Sequence, residues 1–193
     1  MEKKYILTTE TKDVNGHTLH RIQAIRDFND VKAGDLGGWI EKEKNLSHEE
    51  KCWVYGNAWV FGNALVCGNA WVFGNARMSG NARVYGNTEV YEYALVCGDA
   101  RVSENVAVYG YSRIHTGSIT ETTQVVTIGP IGSRNDFTTF VRDNNNTIYV
   151  TCGCFGGTIE EFEAKVKERH GGTKYATSYN VITNMTKRYF EIN

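Results

Sequence analysis

The sequence predicts a mainly β protein. Short strands wind into a stacked coil, with a β-hairpin before the coil and a small α+β module after it. Three observations carry this prediction. A six-residue phrase runs eleven times without interruption from Cys52 to Gly117. A β-branched residue fills the third place of nearly every phrase. Glycine is abundant at a fixed period, 20 residues in 193 against a single proline, but not at every third place, which excludes collagen.

Composition bounds the function classes. The formal net charge is −1, from 21 basic and 22 acidic residues, so no global field draws in a nucleic-acid polymer or an acidic membrane. No apolar run at the start suits a signal peptide, and no stretch approaches the roughly 20 apolar residues of a membrane span. Five cysteines without framework spacing point to reduced thiols in the cytoplasm.

Residues 1–51 are the hairpin and cap. "KYILTT" and "TLHRIQAI" flank "DVNGH", and Asn15-Gly16 is a strong two-residue turn signal. His17 and His20 are ordinary hairpin residues. Gly34, Gly37 and Gly38 bend the chain toward the coil, where Trp39 and Ile40 are expected to plug the open end.

Residues 52–120 are the coil. Its units are CWVYGN, AWVFGN, ALVCGN, AWVFGN, ARMSGN, ARVYGN, TEVYEY, ALVCGD, ARVSEN, VAVYGY and SRIHTG, and Ser118 starts a degenerate twelfth. The third residue is the inward centre of a short strand. The small first residue suits a crowded corner. Gly-Asn tolerates positive φ and makes the bend. The pattern resembles the hexapeptide-repeat left-handed parallel β-helix, in which three hexads make one triangular coil; the left-handed winding is implied by the resemblance alone. Second and fourth residues face outward. One side then carries an aromatic ladder, Trp53, Tyr55, Trp71, Phe73, Tyr91 and Tyr109, which is expected to be an interface between subunits rather than a ligand-stacking face. The resemblance implies a homotrimer packed side to side.

The resemblance also raises enzymes. Acyltransferases of this fold use a histidine base, and His115 is the one candidate in the coil. Relatives of the γ-class carbonic anhydrases hold zinc with three histidines, which the coil lacks. No catalytic residue, metal or cofactor is therefore assigned, with His115 kept as the alternative.

Residues 121–193 are expected to hold three strands and two helices. "TTQVVTIG", "DFTTFVRD" and "IYVTCGCF" are the strands. Thr158 and Glu161 form a T-x-x-E capping box before the helix "IEEFEAKVKERH", and a second helix covers 175–189. Two loops suit an anion. "GPIGSRND" offers backbone amides with Ser133, Arg134 and Asn135. "CGCFGGT" brings Gly156, Gly157 and Thr158 to a helix N-terminus, with Phe155 or Tyr149 to stack on a base. The loops are expected to meet if the first and third strands are neighbours. Cys152 and Cys154 are expected on one face of a strand, too few for zinc.

The stretches "VKAGDLGGWI", "GPIGSRND" and "CGCFGGTIEEFEAKVKERHG", with the hexads between them, resemble a group of phage and prophage proteins. That resemblance implies a viral setting. The function expected is non-enzymatic binding that counters host defence, by sequestering a phosphate-bearing nucleotide signal or by blocking a host defence protein. The alternatives are the His115 acyltransferase and a virion structural or assembly protein.

Overall fold

The computed structural model describes residues 2–192. It opens with an antiparallel hairpin of β1 (Tyr5–Val14) and β2 (His17–Ala24). Asn15 and Gly16 both take positive φ, 52° and 83°, as this tight turn demands. β3 (Leu36–Ile40) pairs antiparallel with β2. On its other edge it pairs parallel with the coil, Trp39 beside Trp59 and Ile40 beside Val60. Hairpin and coil thus share one seven-stranded sheet.

The next twelve strands, β4 to β15, are two residues each, from Trp53–Val54 to Ser118–Ile119. They stack in parallel on three sides of a solenoid. Side one carries Trp53, Trp71, Glu89 and Ala107 in register. Side two carries Trp59, Arg77, Leu95 and Arg113. Side three carries Leu65, Arg83, Arg101 and Ser118. The third-place residues from Val54 to Ile114 are at most 1% exposed. Each buried Val contributes roughly 1.5–3 kcal/mol, so the thin core draws its strength from repetition. At two corners the asparagines form ladders: Asn63 donates to Asn81 and Asn81 to Asp99, at 3.1 and 2.9 Å, and Asn69 donates to Asn87 and Asn87 to Asn105, at 3.0 and 3.1 Å.

Both ends of the coil differ from the hexad reading. Core rungs begin before Cys52: Ile40 lies over Val60, and Leu46 bridges to Val66. The corner between them is not Gly-Asn but a 3₁₀ turn, Glu43–Asn45, whose buried Asn45 amide donates to Gly62 O at 3.2 Å and Ala64 O at 2.8 Å. Ile40 is therefore a rung and Trp39 lies on the outer face, so neither is the plug. The plug is Tyr5 with the fully buried Lys4. Tyr5 Oη donates to Glu43 O and Leu46 O at 2.9 and 2.8 Å. Lys4 Nζ donates to Cys52 O at 2.8 Å and Glu49 O at 3.1 Å. At the far end, Val102 pairs with Ile119. The last corner is one residue short, so Ile119 rather than Thr120 enters the core.

The C-terminal module holds four strands where the sequence predicts three. β16 (Val125–Ile131), β17 (Asp136–Arg142), β18 (Ile148–Cys152) and β19 (Phe155–Thr158) form an antiparallel meander. "IYVTCGCF" is not one strand: Cys152 pairs with Phe155, and Gly153 at φ 60° turns the chain back with Cys154. α1 (Ile159–His170) and α2 (Lys174–Ile192) follow, α2 extending past both predicted ends. One sheet face meets the last rung. There Arg113 N donates to Thr139 Oγ1 at 2.9 Å, and the Arg113 guanidinium holds Asp136 at 2.9 and 3.3 Å. The other face packs Phe140 and Val150 against Ile159, Phe162, Tyr179 and Ile182 in a second core. No described helix is long and apolar enough to cross a membrane.

Candidate functional site

The first and third of the three hairpin turns of the C-terminal sheet lie at its same end. The first and third strands are not neighbours, because β17 lies between β16 and β18. The turns meet nonetheless, since antiparallel hairpins alternate ends and Arg134 spans the gap, its Nη1 donating to Cys154 Sγ at 3.4 Å. Gly132 makes this possible. It sits at φ 71° and a Cβ there would collide with the Tyr179 hydroxyl, so only glycine lets α2 pack its ring beneath the turn.

α1 supplies the opposite wall. Its capping box forms as the sequence predicts, Glu161 Oε2 accepting from Thr158 N at 2.8 Å and Thr158 Oγ1 from Glu161 N at 3.4 Å. Helical spacing then points Phe162 and Val166 inward and sets Lys165 and Arg169 one turn apart beside them. Turns and helices enclose a pocket of about 290 Å³, lined by Ser133, Arg134, Cys152, Cys154, Phe155, Phe162, Lys165, Val166, Arg169, His170 and Tyr179. This is the size of a site for one small molecule.

Of the expected anion-site residues, the structure brings together Ser133, Arg134 and Phe155. Asn135, Gly156, Gly157 and Thr158 do not line the pocket, nor does Tyr149. At the N-terminus of α1 the capping box already engages two amides, Thr158 N with the Glu161 carboxylate and Glu161 N with the Thr158 hydroxyl. Lys165, Arg169, His170, Phe162 and Tyr179 were missed. A signal existed in the two parallel i, i+4 pairs of α1, one apolar and one cationic, but only the tertiary fold turns them toward Arg134.

The pocket is basic and aromatic. No Asp or Glu lines it among the described residues, and Lys165 is paired with Glu168 at 2.7 Å outside it. The Arg134 contact holds the Cys154 thiol below the ordinary cysteine range. Burial, then the Cys152 thiol, pushes the Tyr179 hydroxyl up to about 12, so it stays neutral. Among the described residues no group of three or more His, Cys, Asp or Glu is placed to hold a metal.

The aromatic ladder of side one divides in two. Trp53 is 1% exposed, covered by Tyr5 and Phe28 of the cap with ring centroids at 6.0 and 5.3 Å. It is therefore withdrawn from any interface between subunits, and Tyr55 and Trp71 are half-buried. Further along, Phe73, Tyr91 and Tyr109 stack at 4.9 and 5.5 Å, and Tyr109 is 50% exposed. A second stack runs along the adjacent corner, Tyr93 on Tyr111 at 5.2 Å and Tyr111 on Phe137 at 4.4 Å. These tyrosines replace the corner asparagine, a substitution the hexads display.

His115 is exposed at the edge of the last full coil. Partial desolvation of its ring, then the Arg113 guanidinium, lowers its pKa. It does not line the C-terminal pocket.

The family model described as YdcK beta solenoid repeat matches residues 76–92, wholly inside the solenoid. The uncharacterized acetyltransferase YdcK of Escherichia coli (strain K12) is 57% identical over 37 residues. That stretch is 19% of this chain and 11% of that protein, so the chain covers only a small part of the relative's length. Sequence and fold together show a hexapeptide-repeat β-solenoid, similar in its repeat to that of YdcK.

Proposed function

We propose that this chain is a non-enzymatic binding protein whose solenoid is a rigid stem and whose C-terminal pocket holds a nucleotide-like small molecule. The carrying observation is the convergence of Arg134, Lys165 and Arg169 on a cavity walled by Phe155, Phe162 and Tyr179, without a lining carboxylate among the described residues. Arginine grips a phosphate with paired hydrogen bonds, and the rings offer faces for a base. Calorimetry with nucleoside phosphates, free nucleosides and inorganic phosphate tests the reading. Nucleotides are expected to bind best, and Arg134→Ala or Arg169→Ala to weaken binding about tenfold, as expected for a hydrogen bond to a charged group. Equal affinity for the free nucleoside, or no binding at millimolar concentration, would overturn it.

Sequestration of such a molecule in the host cytoplasm, to blunt a defence signal, is the setting that the phage resemblance suggests. We further propose a homotrimer joined through the exposed half of the ladder, in which Tyr109 is half exposed. Light scattering of Tyr109→Glu is expected to report a smaller particle than the parent, and a monomeric parent would remove the interface.

A second reading, acyl transfer with His115 as base, is favoured by the name of the relative, an uncharacterized acetyltransferase. It predicts transfer from an acyl thioester to an amine that His115→Ala abolishes. No transfer by the parent protein would end it.

A further inference from the structure

We infer that Cys154 is a reactive thiol that captures small anionic disulfides, and that the mixed disulfide so formed closes the C-terminal pocket. The second half rests on the pocket reading above; the first stands on the geometry of the cavity mouth.

The five cysteines are not equivalent. Cys52 and Cys97 are buried in the solenoid, and Cys67 is half-buried on side three. Cys152 is held in β18, where Thr138 Oγ1 donates to its sulfur at 3.2 Å. Cys154 alone is exposed, on the two-residue turn between β18 and β19. The groups that line the cavity around it are cations or neutral; α1 also carries Glu168, paired with Lys165 at 2.7 Å. Arg134 reaches its sulfur from the facing turn at 3.4 Å. Arg169, Lys165 and His170 come from α1, Tyr179 from α2 and Cys152 from the strand beside it. Asp136 is the carboxylate that acts on Arg134, and it is already bound to Arg113 at 2.9 Å. The Arg134 contact lowers the Cys154 thiol, whereas burial pushes Cys52 and Cys67 up, and Cys97 to about 11. The thiolate is the nucleophile in exchange, so this turn is where reactivity concentrates.

The step balances without another reagent. The thiol gives its proton to solvent, and the Cys154 sulfur attacks one sulfur of the disulfide. The new S–S bond forms as the old one breaks, and the other half leaves as a thiolate with the electron pair. The disulfide is the oxidant. One that carries carboxylates, such as the disulfide of an acidic thiol peptide, is drawn by the three lining cations, which also favour the departing anion. Once attached, it fills the cavity mouth and takes Arg134 from any phosphate.

The test compares two disulfide probes, the dianionic aromatic dithiobis(nitrobenzoate) and the uncharged dipyridyl disulfide, on the native protein. Peptide mapping is expected to place the first adduct on Cys154, with Cys154→Ser removing the fast phase. Relative to a free cysteine peptide, the dianionic probe is expected to gain at least about tenfold over the uncharged one. Arg134→Ala and Arg169→Ala should each lose much of that gain, and Arg134→Lys should keep part of it. Melting curves identify any variant that fails to fold, and the two-probe ratio of the parent protein stands without any variant. A first adduct on Cys67 or Cys152, or a probe ratio no different from the free peptide's, would overturn the inference. Nucleotide binding is read separately by calorimetry. Fast, charge-selective capture without nucleotide binding supports the thiol site and removes only the binding reading. Nucleotide binding with an ordinary Cys154 does the reverse. If both hold, the Cys154 adduct is expected to abolish nucleotide binding; undiminished binding by the adduct would overturn closure of the pocket.

Discussion

Lys12 rests between two indoles, its Nζ 4.2 Å from the Trp39 ring centroid and 4.3 Å from that of Trp59. Desolvation, then Arg21 and Arg77, brings its pKa down to about 8. The sign follows from linkage. Between about pH 8 and 10 the unfolded chain holds the Lys12 proton and the folded chain releases it, so stability gains with rising pH over that window. The difference in melting temperature between the parent and Lys12→Met should therefore shift toward the parent as pH rises from 8 to 10. A constant difference would show that the charge on Lys12 is not disfavoured by folding. At the start of α1, Thr158→Ala removes the N-cap and should cost about 1 kcal/mol, measurable by urea unfolding.

At the scale of the element, each hexad divides its work between core, corner and outer face. Val84 is fully buried, and Val84→Ala should cost about 2 kcal/mol, between the values for removing one methylene and a whole side chain. Asn81 both accepts and donates in its ladder, yet stands exposed. Asn81→Ala should cost only about 1 kcal/mol. The two denaturation curves, compared under one condition, decide whether core or corner holds the coil. A larger loss at Asn81 would place the stability in the ladders.

At the scale of the molecule, a short solenoid has two open ends, and an uncovered end is an invitation to pair with other chains. The hairpin closes one end by joining the same sheet and by sinking Lys4 and Tyr5 beneath the first coil. Burial lowers the Lys4 pKa, and backbone carbonyls accept its hydrogen bonds. Lys4→Met removes the donor that these carbonyls share and should destabilise the protein by roughly 3 kcal/mol. Unfolding followed by cap and coil probes, Tyr5 and Trp53 fluorescence against far-ultraviolet dichroism, should remain a single transition. Separate transitions would show that the cap is an appendage rather than part of the fold.

The hexads by themselves determined the solenoid, its inward Val column and its Gly-Asn corners, because each rung is a local choice repeated at one period. The capping box and α1 were equally legible, since a cap lies within one turn of its helix. Three things waited for the tertiary structure. The rungs at Ile40 and Leu46 were hidden because a 3₁₀ turn with Asn45 replaces the repeated corner. The burial of Trp53 depends on Tyr5 and Phe28, distant in sequence. The pocket was half visible: Ser133, Arg134 and Phe155 stood out in the loops, whereas Lys165, Arg169 and Tyr179 join them only once β18 and β19 fold back and two helices pack on the sheet. Local periodicity is written in adjacent residues; a site assembled from two turns and two helices is set by how their faces meet.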